Sequence, residues 1–508
     1  MLERLVDIEG LNISFGQEHV LSNFDLRIHQ GEIVSVVGES GSGKSISALM
    51  SMGLLSQSAS VSFTKAAVLE KEIGQLSPTQ WRAIRGKEIA MIFQDPMTAL
   101  HPSMRIGKQM EEVLEVHTDF SSAERKTQII EALEEVDIPN ALRSAKKYPH
   151  ELSGGQRQRV VIAMAMLLEP KLIIADEPTT ALDKQVEGTV LKLLSNLVRK
   201  KGCALWFISH DLEVVANFSD RVVVLYKGKT VETGVAKTVF NNPKHPYTKG
   251  LLACRPPKEG RPYPLPVLND FLGDGKVPKT EELTKPPSKD TALEIRGLSI
   301  GYETRSGFNT QTLWVVKDLD LTLQVGETLG LIGPSGSGKS SIGRAVVDLV
   351  PSKYSVRNFN GNENHIQFIF QDPSSALNRS HSVGHILSKV LSKHNPRLPS
   401  EERKKRAGAL LEEVGLKVSD LSKKPKDFSG GQRQRIGIAR ALAANPKILI
   451  CDESVSALDV SVQAQVLNLL NKIKRDRGLS MIFISHDPDV IRYMCDRVQQ
   501  LLVPEKTN

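Results

Sequence analysis

The chain writes one long pattern twice. Gly38-Glu39-Ser40-Gly41-Ser42-Gly43-Lys44-Ser45 returns as Gly333-Pro334-Ser335-Gly336-Ser337-Gly338-Lys339-Ser340. Phe93-Gln94-Asp95-Pro96 returns as Phe370-Gln371-Asp372-Pro373, and Asp176-Glu177 as Asp452-Glu453. Ser209-His210-Asp211 returns as Ser485-His486-Asp487. Ser153 and Ser429, Asp176 and Asp452, and His210 and His486 each stand 276 residues apart, Gln94 and Gln371 277. So long a period excludes a solenoid, whose units lean on their neighbours; each copy must own a core. Length alone, at about 150 residues per domain, would allow three domains. The repeat reduces this to two, 1–254 and 291–508, joined by a spacer over 255–290.

The spacer contains Arg255-Pro256-Pro257, Arg261-Pro262-Tyr263-Pro264-Leu265-Pro266 and Lys285-Pro286-Pro287. Such proline density reads as extended, semi-rigid chain. Val267-Leu268 and Phe271-Leu272 form an apolar cluster suited to docking on a domain surface, with no helix assigned.

Each copy opens with alternating apolar residues, Leu5 to Phe15 and Leu293 to Ile300, which read as edge-type strands. Short, mostly apolar segments follow: Ile33 to Val37, Leu172 to Ala175 and Ala204 to Ile208, with counterparts Thr328 to Ile332, Ile448 to Cys451 and Met481 to Ile484. Buried strands alternating with helical stretches predict an α/β fold with a mostly parallel core sheet.

A strand, then Gly-x-x-x-x-Gly-Lys-Ser, then a helix is a phosphate-binding loop. Glycine lets backbone N–H groups converge on phosphate oxygens, and the helix N-terminus adds its positive dipole end. Lys44 and Lys339 are expected on the β- and γ-phosphates of ATP, Ser45 and Ser340 on Mg²⁺. Asp176 and Asp452 end apolar strands, where an acid needs a reason; the same Mg²⁺ supplies it. Glu177 and Glu453 follow and, by strand alternation, point to the other face, where a carboxylate can take a proton from the water attacking the γ-phosphate.

Apart from the spacer, the chain resembles tandem ATP-binding subunits of ABC transporters. Two segments carry this most specifically: Leu152-Ser153-Gly154-Gly155-Gln156 and Phe428-Ser429-Gly430-Gly431-Gln432, each 23 residues before its aspartate. The resemblance implies two tandem P-loop domains, each with an N-terminal antiparallel part and a helical subdomain. It implies head-to-tail pairing, with Lys44, Ser45, Asp176, Glu177 and His210 facing Ser429 to Gln432. Lys339, Ser340, Asp452, Glu453 and His486 would face Ser153 to Gln156. Gln94 and Gln371 resemble the glutamine that contacts Mg²⁺ and the attacking water, His210 and His486 the histidine that bonds the γ-phosphate. Asp183 and Asp459, each in Ala-Leu-Asp, resemble the loop that communicates between domains. Phe15 and Tyr302 stand where an aromatic ring would stack on adenine.

Met91 to Pro102, Phe370 to Asn378 and Asn242-Pro-Lys-His-Pro-Tyr-Thr248 resemble the peptide/nickel importer group. That resemblance implies two transmembrane permease subunits, an extracytoplasmic binding protein reached through them, and a peripheral place on the cytoplasmic face of the inner membrane. Met97 and Leu100 are expected to line the groove that receives the permease. The importers' cysteine cluster for iron and sulfur is not expected, since Cys254 alone stands near the His-Pro-Tyr-Thr word. A tandem ATPase acting on ribosomes is the alternative, disfavoured because the spacer is proline-rich rather than long, charged and helical. Nucleic acid is disfavoured too, since the net charge of +8 gathers into no basic stripe. The apolar runs fall short of the ~20 residues a membrane-spanning helix needs, so any membrane role passes through a partner. The second copy departs from the first: Lys44 to Gln94 spans 50 residues, Lys339 to Gln371 only 32. A peripheral, strand-rich part is therefore expected to be short there.

Overall fold

A computed structural model describes residues 3–179, 182, 184–273, 277–283, 288–306, 309–334, 336–359, 365–456 and 458–501. Asp183 and Ser335 lie outside the described residues. The chain divides into two compact units, Met1–Leu252 and Ala253–Asn508.

In the first unit the strand Arg4–Phe15 turns its alternating apolar residues inward, burying Leu5, Val6, Ile8, Leu11 and Ile13. It is not an edge strand. Glu18–His29 pairs with it antiparallel on one side, Ala59–Ser62 and Lys65–Val68 on the other. Alternation reports burial on one face, which an internal strand of a one-sided sheet shares with an edge strand. The core sheet has six strands. Their order is Lys229–Val235, Arg221–Tyr226, Ile33–Val37, Ala204–Ser209, Leu172–Asp176 and Ile89–Ile92. All pair parallel except the first two, which are antiparallel. The strands Ile33–Val37 and Ala204–Ser209 are buried along their whole length, which explains sequences that are apolar except for Ser35 and Ser209. Each fully buried Val, Leu or Ile contributes about 1.5–3 kcal/mol.

The second unit repeats this core with five parallel strands. Their order is Ile366–Ile369, Ile448–Asp452, Ser480–Ile484, Thr328–Ile332 and Arg497–Gln500. Its antiparallel part is smaller among the described residues: Thr291–Ser306 pairs with Asn309–Gln324 and with the short Val356–Phe359. Val356–Phe359 takes the register that Lys65–Val68 has in the first unit, which additionally carries there the strands Ala59–Ser62 and Lys71–Glu72 and the helix Pro78–Ile84. The shortened interval between Lys339 and Gln371 thus falls on a peripheral layer and leaves the parallel core whole.

Most of the proline-rich segment packs within the second unit. Arg261 donates to the carbonyls of Tyr493 and Met494, which end the helix Pro488–Met494, and to Asp496 Oδ1 at 2.6 Å. Leu265 exchanges two backbone hydrogen bonds with the Asn468 amide, at 2.7 and 2.8 Å. Leu265 and Leu268 are buried, and Asn269–Leu272 forms one helical turn where no helix was expected.

The four cysteines are buried thiols. Burial pushes the thiol of Cys203 up to about 11 and that of Cys451 up to about 12. No helix among the described residues is long and apolar enough to cross a membrane.

Candidate active site

The core sheets place the chemistry at the carboxyl ends of their parallel strands, where crevices form in such sheets. Ile33–Val37 runs into the glycine-rich loop, and Lys44 opens the helix Lys44–Ser51. The strand ending in Asp176 lies one strand further on, with Ala204–Ser209 between them. Asp176 pairs in register with Ile208, and Val37 with Ser209, so Lys44, Asp176 and His210 emerge at one level.

Gly43, with φ of 100°, turns the loop into the helix. A Cβ there would also meet Leu21 Cδ2 at 2.6 Å. Gly338 repeats this with φ of 88° and Val316 Cγ2 at 2.6 Å. Only glycine combines that backbone with that approach. The Lys44 ammonium donates to the carbonyls of Gly38 and Glu39 at 2.8 and 3.0 Å, that of Lys339 to Gly333 and Pro334 at 2.7 and 2.9 Å. Within the loops the hydroxyls of Ser42 and Ser337 are buried and make no hydrogen bond. The cost of such an orphan is repaid when a ligand oxygen arrives.

Ser45 Oγ donates to Asp176 Oδ1 at 2.9 Å and Ser340 Oγ to Asp452 Oδ1 at 2.8 Å. Burial raises both aspartates above the ordinary carboxylate range; the serine bonds oppose this, and the neighbouring Glu177 and Glu453 add repulsion. A hydroxyl beside a desolvated carboxylate is a hard-oxygen donor set, and a divalent cation would relieve the cost of its charge. The residues therefore fit Mg²⁺.

The acidic residues after the aspartates point away, but not through strand alternation. Glu177 and Glu453 both have φ of 45°, left-handed backbone outside the strand. Their N–H groups bond to the carbonyls of Ile208 and Ile484. Glu177 Oε2 accepts from Gln94 Nε2 at 3.0 Å and lies 3.2 Å from His210 Nδ1. Glu453 Oε2 accepts from Gln371 Nε2 at 2.7 Å and lies 3.5 Å from His486 Nδ1. Each site thus strings glutamine, glutamate and histidine on one carboxylate oxygen. The His486 hydrogen bond holds the Glu453 carboxyl below its ordinary range against the opposing effect of burial, keeping it ionised at neutral pH.

Ser153 and Ser429 cap the helices Gly154–Met166 and Gly430–Leu442 through reciprocal bonds with Gln156 and Gln432. The second glycine of each segment is set by packing. A Cβ on Gly155 would come 2.6 Å from Val186 Cγ1, and one on Gly431 2.3 Å from Val462 Cγ1. The first is not: around Gly430 nothing lies within 4 Å, and Gly154 meets only Leu182, at 3.7 Å. That open backbone is what close approach to an anion requires. The arginines that follow turn inward to backbone carbonyls: Arg157 to Pro149 and Leu152, Arg433 to Phe428. Phe428 is buried like its counterpart Leu152.

Tyr302 is exposed and its hydroxyl lies 3.2 Å from Ser341 Oγ, whereas Phe15 packs partly against the core. Asp459 precedes the helix Val460–Arg477 as its N-cap residue. Met97 is half exposed, but Leu100 is buried and belongs to the interior of the helical part rather than to a groove surface. Reading the sequence missed Asp211 and Lys184, which pair beside His210. The signal was available: at the position of Lys184 the second copy has Val460.

The profile of the ABC transporter family matches residues 21–180 and 316–456. The chain belongs to the ABC transporter ATP-binding family. A profile of the C-terminal region of oligopeptide/dipeptide transporters matches residues 231–266. The glutathione import ATP-binding protein GsiA of Escherichia coli O6:H1 (strain CFT073) is 41% identical over 522 residues, covering 97% of this chain and 84% of that protein. GsiA of Shigella dysenteriae serotype 1 is 40% identical over the same lengths. A dimeric ATP-binding cassette solved in a post-hydrolysis state with ADP and Pi is 28% identical. It covers 46% of this chain and 98% of its own, with a TM-score of 0.41. As an ABC ATPase of the import type, the chain hydrolyses ATP. A role on ribosomes finds no support, because the match over 231–266 is to a transporter region.

Proposed function

We propose that this ABC ATPase powers uptake of peptides or peptide-like compounds, with glutathione-sized tripeptides within its range. The observation that carries the reading is the oligopeptide/dipeptide transporter match at 231–266, joined to 41% identity with a glutathione import subunit along nearly the whole chain. Uptake passes through two separate transmembrane permease subunits fed by an extracytoplasmic binding protein. The chain lies against the cytoplasmic face of the inner membrane, and half-exposed Met97 beside Gln94 is the contact proposed for the permease. Nucleic acid and an iron–sulfur cluster have no part in the proposal.

Two ATP molecules bind in two composite sites. Lys44 and Lys339 release their loop carbonyls to hold the β- and γ-phosphates. Ser153 to Gln156 and Ser429 to Gln432 cap the γ-phosphate bound by the opposite domain, and Asp183 and Asp459 link the domains. Phe15 and Tyr302 lie alongside adenine. Ser45, Asp176 and Gln94, with Ser340, Asp452 and Gln371, would hold Mg²⁺, which supplies charge neutralisation on the phosphates. Glu177 and Glu453 orient the attacking water and take its proton; His210 and His486, held through Nδ1, present their other nitrogen to the γ-phosphate.

The test is Glu177→Gln and Glu453→Gln, made singly in the complete transporter in vesicles. Each change is expected to cut ATP turnover and uptake of labelled glutathione or a short peptide. A single variant with unaltered turnover would overturn two-site hydrolysis. Normal ATP turnover with no transport of any peptide tried would overturn the cargo class.

A further inference from the structure

The two sites repeat each other's bonds up to the loop that carries the histidine, and there they part. In the first unit Lys184, the first residue of the helix Lys184–Lys201, pairs its ammonium with Asp211. It also lies 3.3 Å from Glu187 Oε2, and Glu187 Oε1 accepts from Thr179 Oγ1 at 2.7 Å. Asp211 follows His210 directly and caps the helix Leu212–Phe218, accepting from the N–H groups of Glu213 and Val214. His210 in turn holds Glu177, two residues before Thr179. With the chain joining Asp211 to His210 and Glu177 to Thr179, the four contacts close a circuit: Thr179, Glu187, Lys184, Asp211, His210, Glu177. Asp211 and Glu187 are largely buried, at 13% and 12% side-chain exposure, while the Lys184 side chain is 37% exposed.

The second unit keeps Asp487, which caps Pro488–Met494 in the same way. It also keeps His486 beside Glu453, but the other three members are gone: Val455 stands for Thr179, Val460 for Lys184 and Gln463 for Glu187. There the circuit is open. A group that must stand still while charge develops gains from bonds fixing its own support, and the valine at the second copy's position cannot supply the one that Lys184 makes.

We propose that Lys184 is a positioning residue of the first site alone, tying the His210 loop to the helix after the acidic pair, so that the two sites hydrolyse ATP at unequal rates. The inference rests on the ATPase reading. The test uses the full chain carrying Glu453→Gln, so that turnover reports the first site, in single-turnover hydrolysis of Mg-ATP. Lys184→Val installs the residue of the second copy. It is expected to slow the step about tenfold while half-saturating ATP and the amplitude stay unchanged, because His210 and Glu177 act in the transition state. Lys184→Arg keeps the cation and should restore the rate. Lys184→Met, which keeps the stem and removes only the charge, should match the valine variant. Parental rates in Lys184→Val or Lys184→Met overturn the inference and leave the ATPase reading standing. A parent chain that hydrolyses nothing fails that reading first, and this inference with it.

Discussion

At the residue scale the two sites are defined by which carboxylates stay charged. His486 holds Glu453 ionised below the ordinary range for glutamate, about 4.3. A folded pKa below the unfolded one adds stability above the unfolded value, lost as pH falls through the folded value. His486→Ala is therefore expected to destabilise the chain by about 1 kcal/mol at pH 7. The difference from the parent should shrink in urea unfolding as the pH is taken below the ordinary glutamate range and through the depressed Glu453 value. A difference that stays equal would contradict this assignment. The side chains that the structure brings together at each candidate site were legible in the sequence, since serine, aspartate, glutamate and histidine stand at motif spacing. The left-handed turn at Glu177 and Glu453 was not. Strand alternation applies only while the strand continues, and both strands stop one residue earlier, at Asp176 and Asp452.

At the scale of elements, the second glycine of each Ser-Gly-Gly-Gln segment joins two helices. Gly431 lets the helix Gly430–Leu442 approach Val462 on Val460–Arg477. Gly431→Ala would drive a Cβ into that β-branched side chain, whose stiff rotamer cannot swing aside. A loss of about 1–3 kcal/mol is expected, with most of it regained when Val462→Ala is added. Thermal unfolding of the single and double variants measures both. The parallel core strands were readable because burial on two faces leaves a mostly apolar run. The pairing of Arg4–Phe15 was not, since alternation carries no information on how many neighbours a strand has. The docking of the proline-rich segment was half readable. Its apolar residues announced a contact, but the grip of Arg261 on the end of Pro488–Met494 depends on residues more than 230 positions away.

At the scale of the whole molecule, an ATPase of the import type is a motor whose proposed load, the permease, is on other chains. ATP turnover by the chain alone is expected to be lower than in the complex with its permease subunits. Steady-state hydrolysis before and after assembly in vesicles checks this, and equal rates would refute the coupling. The length of the repeat fixed the number of domains. Part of the mild positive charge turns inward: Arg157, Arg159, Arg433 and Arg435 donate to backbone carbonyls in the helical parts. The buried thiols have a practical side. Cys203, Cys254, Cys451 and Cys495 are all enclosed, and burial keeps at least Cys203 and Cys451 fully protonated at neutral pH. Maleimide dyes react with exposed thiolates. New cysteines can therefore be placed on the surface of each head and labelled in the native background, turning the nucleotide cycle into a distance that fluorescence can follow.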